Sequence, residues 1–142
     1  MKREQACQAL YNKLAAIPAW KTISRKLKHW SDVPPIEQPA CFIRQTNENY
    51  ERTRGIPPKI TLHFEVAVYA MAPDPNDNPS SLQNELLDLI DDALAPDDPT
   101  VYTCTLGKNV SHCWIEGQVE TDEGLLGQQT VAIIPVNILI TY

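Results

Sequence analysis

Lys59-Ile60-Thr61-Leu62-His63-Phe64-Glu65-Val66-Ala67-Val68-Tyr69-Ala70 is the stretch that decides the architecture. Ile60, Leu62, Phe64, Val66 and Val68 alternate with Thr61, His63, Glu65 and Ala67, the period of two that sends successive side chains to opposite faces of a strand. One face of this strand is expected to be buried. Upstream, Ala40-Cys41-Phe42-Ile43-Arg44-Gln45 begins apolar and turns polar through Thr46-Asn47-Glu48-Asn49-Tyr50, before Arg52, Arg54, Gly55 and Pro57-Pro58. The two stretches read as a long antiparallel hairpin. Its arm, residues 46–58, has little to bury, so it is expected to be either mobile or ordered by a partner, and a partner is the preferred reading.

Around this hairpin the pattern changes period. Ala6, Leu10, Leu14 and Ile17 fall at helical spacing over residues 2–17, and Pro18 stops the helix by removing a donor and crowding the preceding turn. Trp20 to Trp30 is basic, with Ile23, Leu27 and Trp30 at i, i+4 and i+7; it reads as a short helix or a turn-rich connector ended by Ser31-Asp32-Val33-Pro34-Pro35. After the loop-forming residues 71–81, Ser80 and Gln83 have the spacing of a capping box, and a helix runs to Ala95 with Leu82, Leu86, Leu89, Ile90 and Ala93 on one stripe. The last third reads as a strand over Val110–Thr121, a turn at Asp122-Glu123-Gly124 and a strand from Gln129 to Tyr142. In that final strand Ala132, Ile134, Val136, Ile138 and Ile140 share one face and Val131, Ile133 and Leu139 the other, so it should be covered on both sides. Pro135 lacks a ladder donor and is expected at an edge or a bulge. The fold class is therefore α+β: a mainly antiparallel sheet with flanking helices and a long hairpin arm.

With 142 residues, 43% of them apolar and 21% charged, the chain fits a single domain over 1–142 with one core. No apolar run is long enough to span a bilayer and no export signal opens the chain, so a soluble, unexported protein is expected. The net charge of −6 is unevenly distributed. Residues 1–30 carry seven basic side chains against Glu4, or +6; residues 31–72 carry −1; residues 73–142 carry Lys108 against twelve acidic side chains, or −11. Such a division solvates two faces of a monomer or steers subunits into a fixed orientation.

Catalytic patterns are missing from the sequence. There is no nucleophile-elbow, zincin, Walker or dinucleotide glycine signature. Cys104, His112 and Cys113 are the best metal candidates, but neighbours on a strand face opposite ways and no fourth ligand stands at a useful spacing. Cys7, Cys41, Cys104 and Cys113 lie far apart with no Cys-x-x-Cys pair, so reduced structural thiols are expected. Asp74-Pro75-Asn76-Asp77-Asn78 lacks the later glutamate of a calcium loop. Asp91, Asp92, Asp97 and Asp98 read as a solvated acidic surface. Neither an enzyme nor a cofactor or metal site is expected.

Certain phrases carry more information than any site. Ser24-Arg25-Lys26-Leu27-Lys28-His29-Trp30-Ser31-Asp32-Val33, Glu37-Gln38-Pro39-Ala40-Cys41-Phe42-Ile43-Arg44-Gln45, Val110-Ser111-His112-Cys113-Trp114-Ile115-Glu116-Gly117 and the closing Ala132-Ile133-Ile134-Pro135-Val136 resemble small tail proteins of long-tailed bacteriophages, in particular the tail terminator, or tail-completion, family. The resemblance implies a sheet flanked by helices that assembles into a ring, commonly a hexamer. Such a ring caps the tail tube protein and joins it to the head–tail connector, with DNA passing through the lumen. It implies location in the virion tail or neck, with assembly in the host cytoplasm, and no membrane partner.

The family has no catalytic residues to transfer, so the interface is expected on physical grounds: Arg44, Arg52 and Arg54 on the hairpin, Lys21, Arg25 and Lys28 in the basic stretch, and Asp91 and Asp92 on the acidic helix. A cyclic contact would set the basic patch of one subunit against the acidic patch of the next. The alternatives are a head-closure or other tail adaptor protein, and a nucleic-acid-binding module using Lys21, Arg25, Lys26 and Lys28 on phosphates.

Overall fold

The computed structural model describes residues 2–124 and 127–141; Tyr142, the expected end of the last strand, lies outside them. In chain order the elements are α1 (Lys2–Ala15), β1 (Thr22–Ser24), two 3-10 turns (Trp30–Asp32 and Pro35–Glu37), β2 (Ala40–Glu51), β3 (Lys59–Met71), α2 (Pro79–Ala93), β4 (His112–Ile115), β5 (Glu120–Gly124) and β6 (Gly127–Thr141). The six strands form one sheet in the order β1-β2-β3-β6-β4, with β5 also on β6. Only the β1–β2 pair is parallel. This is the α+β architecture that the sequence implied.

The alternation in β3 fixes the layers. Ile60, Leu62, Phe64, Val66, Val68 and Ala70 face the same side as Ala132, Ile134, Val136, Ile138 and Ile140 of β6, because the two strands pair in register from Lys59↔Thr141 to Met71↔Gln129. Both helices cover that side: Ala6, Cys7, Leu10 and Leu14 of α1 and Leu86 and Ile90 of α2 complete the main core. Each fully buried Leu or Ile there contributes roughly 1.5–3 kcal/mol. α1 ends at Ala15, where Ile17 N–H bonds the Leu14 carbonyl and the Trp20 indole N–H donates to the same oxygen at 3.0 Å. On the opposite side, Ala40, Phe42, Ala67 and Tyr69 pack with Val33 in a smaller cluster that Trp30 and Val131 border. There the reciprocal amide bonds of buried Gln38 and Gln129, 2.8 and 2.9 Å, tie the β1–β2 crossover to β6.

Four local expectations are corrected. Of the two forms expected for Trp20–Trp30 the helix is ruled out and the connector is found: it contains β1 and leads into a 3-10 turn, since Ile23 packs on the main core while Trp30 packs on the opposite face. The α2 cap is Asn78, whose side chain accepts the Ser80 N–H, with Pro79 at the first helical position; Gln83 points inward instead of closing a box. The arm is held by the chain's own ladder as far as Glu51↔Lys59, leaving only residues 52–58 as an unpaired tip. Within that ladder a bulge lies between Gln45 and Asn47, where the Thr46 hydroxyl donates to the His63 carbonyl at 3.1 Å.

The fourth correction concerns Val110–Thr121, which is two strands, with the chain paired to β6 through Gly124. β4 ends at Ile115↔Val136 and β5 begins at Glu120↔Ile133, so residues 116–119 stand opposite only Ile134 and Pro135. Ser111 N–H bonds Leu139 O on this side, and strand alternation aims position 135 the same way. The donor that Pro135 lacks would therefore point into the gap between β4 and β5, which is how a proline sits in a strand with neighbours on both sides. Gly117, at φ +117°, passes so close that an added Cβ would lie 3.3 Å from Pro135 Cγ.

Candidate assembly surfaces

The strand order separates the charges. Lys21, Arg25, Lys26 and Lys28 are exposed around β1, at one edge of the sheet. The other edge is β4 and β5, end to end on β6, where Glu116, Glu120 and Glu123 are exposed. α2, packed on β3, β6 and β5, presents exposed Glu85, Asp88, Asp91 and Asp92 on that side. Residues 21–28 thus put four cations at one edge and the acidic last third lines the other, while the remaining cations of the first segment lie on α1, with Lys2 bonded to the Thr141 carbonyl of β6 and Lys13 beside Leu106 and Gly107.

Not every expected interface cation is free. The Arg25 guanidinium clamps the Glu4 carboxylate, with Nη2 2.9 Å from Oε1, and this hydrogen bond holds the Glu4 carboxyl below its ordinary value. Arg44 sits opposite Glu65 in the β2–β3 register and bonds it at 3.2 Å. Both act first as intrachain struts. Lys21 and Lys28 are exposed, and the backbone of each is anchored: Lys21 N–H to Pro39 O at 2.9 Å, Lys28 O to the Tyr69 hydroxyl at 2.6 Å. Arg52 and Arg54 project from the hairpin tip, where they line an open cleft of about 660 Å³ with Thr53, Gly55, Ile56 and Pro57. The structure therefore groups Lys21, Arg25 and Lys28 at one edge, Asp91 and Asp92 on the α2 side, and Arg52 and Arg54 at the tip.

Asp97, read from the sequence as one member of an acidic surface, has a structural task. Its carboxylate accepts from Thr105 N–H at 2.7 Å, Thr105 Oγ1 at 2.9 Å and Gly107 N–H at 3.2 Å. Desolvation pushes its pKa up, but these bonds outweigh that and leave it below the usual carboxylate value. They hold a loop in which Leu106, Gly107 and Lys108 all have positive φ. The composition Asp97-Asp98-Pro99-Thr100 signals a turn, but not which carboxylate holds it.

Cys41 is pushed up to about 12 by burial, and Cys7 is raised by burial and donates to Gln45 Oε1 at 3.3 Å. His112 Nδ1 accepts the Cys104 N–H at 3.2 Å and its ring stacks on Trp114, 4.9 Å between centroids. Among the described residues no group of three His, Cys, Asp or Glu side chains stands ready to hold a metal ion, and no helix is long and apolar enough to cross a membrane.

The class these features define is an α+β fold with two helices on one face of a mostly antiparallel six-stranded sheet whose edges carry opposite charge. That fold is shared with a chain of the solved structure described as "Virion of native gene transfer agent (GTA) particle": TM-score 0.55 over 97% of this chain and 94% of that one, at 11% identity. At that identity the likeness is one of fold. No family model matches the sequence, and no curated protein matches it.

Proposed function

We propose that this chain is a structural subunit of a phage-type virion, a tail terminator that forms a ring, caps the tail tube and joins it to the head connector. The observation that carries the reading is the opposite charge of the two sheet edges. In a head-to-tail ring the β1 edge of each subunit, with Lys21, Lys26 and Lys28, meets the β4–β5 edge and α2 of the next, with Glu120, Glu123, Asp91 and Asp92. A two-fold dimer would instead set each edge against itself. Arg52 and Arg54 on the hairpin tip are left to contact the tube or a stacked ring. The fold shared with a chain of a gene transfer agent virion supports a virion role. A head-closure or other neck adaptor is the neighbouring role, and the whole assembly acts without turnover or cofactor.

The test is native mass by light scattering at about 50 mM and about 500 mM salt, with negative-stain imaging of the largest species, since exposed charges are screened over roughly 8–10 Å at physiological ionic strength. A ring with a central hole that loosens at high salt supports the proposal. A monomer at both salts that also fails to bind purified tail tubes overturns it. A steep fall of DNA affinity with salt would then favour the nucleic-acid reading of the basic edge.

A further inference from the structure

We propose that Cys104 and Cys113 are a peroxide-responsive thiol pair that closes to a disulfide and staples the loop after α2 to the edge strand β4. The two residues are distant from the sequence's usual dithiol spacing, yet the structure sets them side by side. Cys113 N–H donates to Cys104 O at 2.8 Å. A direct backbone bond of this kind brings the two chains to roughly 5 Å, inside the roughly 4.4–6.8 Å Cα separation a disulfide spans. Both residues also line one and the same cleft, with Tyr102, His112 and Trp114.

Polarity and access fit the chemistry. The hydrogen bond from Cys113 lowers the pKa of Cys104 against the opposing effect of burial, and the Leu106 backbone adds to the lowering, while Cys113 is raised by the same bond and by its own burial. The Leu106 backbone favours the charged form of Cys104 and burial disfavours that of Cys113, so we take Cys104 as the attacking thiolate and Cys113 as the resolving thiol. Both are only 1% exposed, but they line a cleft of about 390 Å³ shared with Tyr102, His112 and Trp114, a volume well above that of a hydrogen peroxide molecule. Cys7 and Cys41 are buried elsewhere in the core, with Cys7 engaged by Gln45.

The step balances with hydrogen peroxide as oxidant. The Cys104 thiolate, its proton already given to solvent, attacks one peroxide oxygen; the S–O bond forms, the O–O bond breaks, and hydroxide leaves to take up that proton as water. Cys113 then attacks the Cys104 sulfur and loses its proton, the S–S bond forms, and the S–O bond breaks to release a second water. Two thiols are oxidised by two electrons and one peroxide is reduced to two waters. The resulting ring, residues 104–113, encloses the left-handed residues Leu106, Gly107 and Lys108.

The sequence supplies a clean assay. Trypsin cuts after Lys59 and Lys108, and neither 60–108 nor 109–142 holds another internal Lys or Arg, so Cys104 and Cys113 fall on different peptides. The intact protein is treated with a few equivalents of hydrogen peroxide, alkylated under denaturing conditions, digested and read by mass spectrometry with and without reductant. The expected result is a linked 60–108/109–142 pair that separates on reduction, with Cys7 and Cys41 alkylated. Cys113→Ser should stop at a Cys104 sulfenic acid that dimedone traps. Alkylation of both thiols, sulfinate at Cys104 with Cys113 still alkylated, or linkage to Cys7 or Cys41 would each overturn the proposal.

Discussion

Replacing Asp97 removes three hydrogen bonds from one exposed carboxylate, and the geometry sets the size of the effect. Asp97→Ala frees the Thr105 and Gly107 N–H groups and the Thr105 hydroxyl, which the carboxylate binds at 2.7, 3.2 and 2.9 Å. A hydrogen bond to a charged group is worth about 1.5–3 kcal/mol when buried, and less where the freed donors meet water, as here. The loop also gives up what compensates the left-handed backbone of Leu106 and Lys108, at φ 49° and 70°. A total loss of about 1–3 kcal/mol follows, or roughly 3–10 °C in Tm for a chain of this size. Asp97→Asn should cost less, since one acceptor survives, and its deficit should depend on pH. The folded pKa of Asp97 is lowered, so its contribution is present above the unfolded value of about 3.9 and is lost as pH falls through the folded value. Thermal unfolding of wild type and Asp97→Asn from pH 7 down to about pH 3 should therefore show the Tm gap closing at the acid end. A gap that stays constant across that range, or an Asp97→Ala protein as stable as wild type, would refute this account.

Gly117→Ala would add a Cβ 3.3 Å from Pro135 Cγ at a backbone φ of +117°, so a loss of about 1–3 kcal/mol is expected in denaturant titration. Gln83 is 2% exposed and its amide nitrogen has no hydrogen-bond partner among the described residues; Gln83→Leu should raise Tm, by roughly 1 kcal/mol of stability, because the orphaned donor disappears and the volume is kept. Reversing charge at the β1 edge with Lys26→Glu and Lys28→Glu should leave Tm nearly unchanged but weaken self-association at about 50 mM salt, and Glu120→Lys with Glu123→Lys should restore it when the two variants are mixed. Light scattering of each variant alone and of the mixture reads that outcome directly.

What the sequence disclosed depends on whether one residue's environment is set by its neighbours or by distant chain. The alternation from Ile60 to Val68 and the stripe Ala6, Leu10, Leu14 are local patterns, and both appear unchanged in the core. β1 was hidden because three residues cannot display a period, and because Ile23 and Trp30, spaced as on a helix, pack on opposite faces of the sheet. The break between β4 and β5 follows from Pro135, which lies on their partner strand and not in the segment that breaks. At the candidate surfaces the partition of charge was legible by counting. That Arg25 and Arg44 are engaged by Glu4 and Glu65 was not, since each partner lies 21 residues away and only the fold brings them together.

The route of the chain through the sheet explains how a linear charge gradient becomes a spatial one. β1 forms from the first basic segment and sits outside β2, while β6, the last strand, inserts beside β3 and leaves β4 and β5 beyond it. Residues 21–28 therefore supply one edge and the acidic last third supplies the other, while α1 keeps its cations over the face. Electrostatics of this kind selects orientation and speeds encounter more than it holds a complex together. Short-range attraction needs apolar anchors, and each side has them: Leu27 and Ile36, 44% and 80% exposed, follow β1 in the basic crossover, and Val101 and Tyr102, 63% and 77% exposed, lie in the loop that borders β4. A dimer through either edge would bring like charges within a Debye length of each other, whereas in the proposed ring rotation about the axis would bring unlike edges and their anchors together. The same loop carries Asp97, Cys104 and the left-handed turn at Leu106–Lys108, so its rigidity, by carboxylate or by the proposed disulfide, would bear on how firmly Val101 and Tyr102 are presented to a neighbour in the proposed ring.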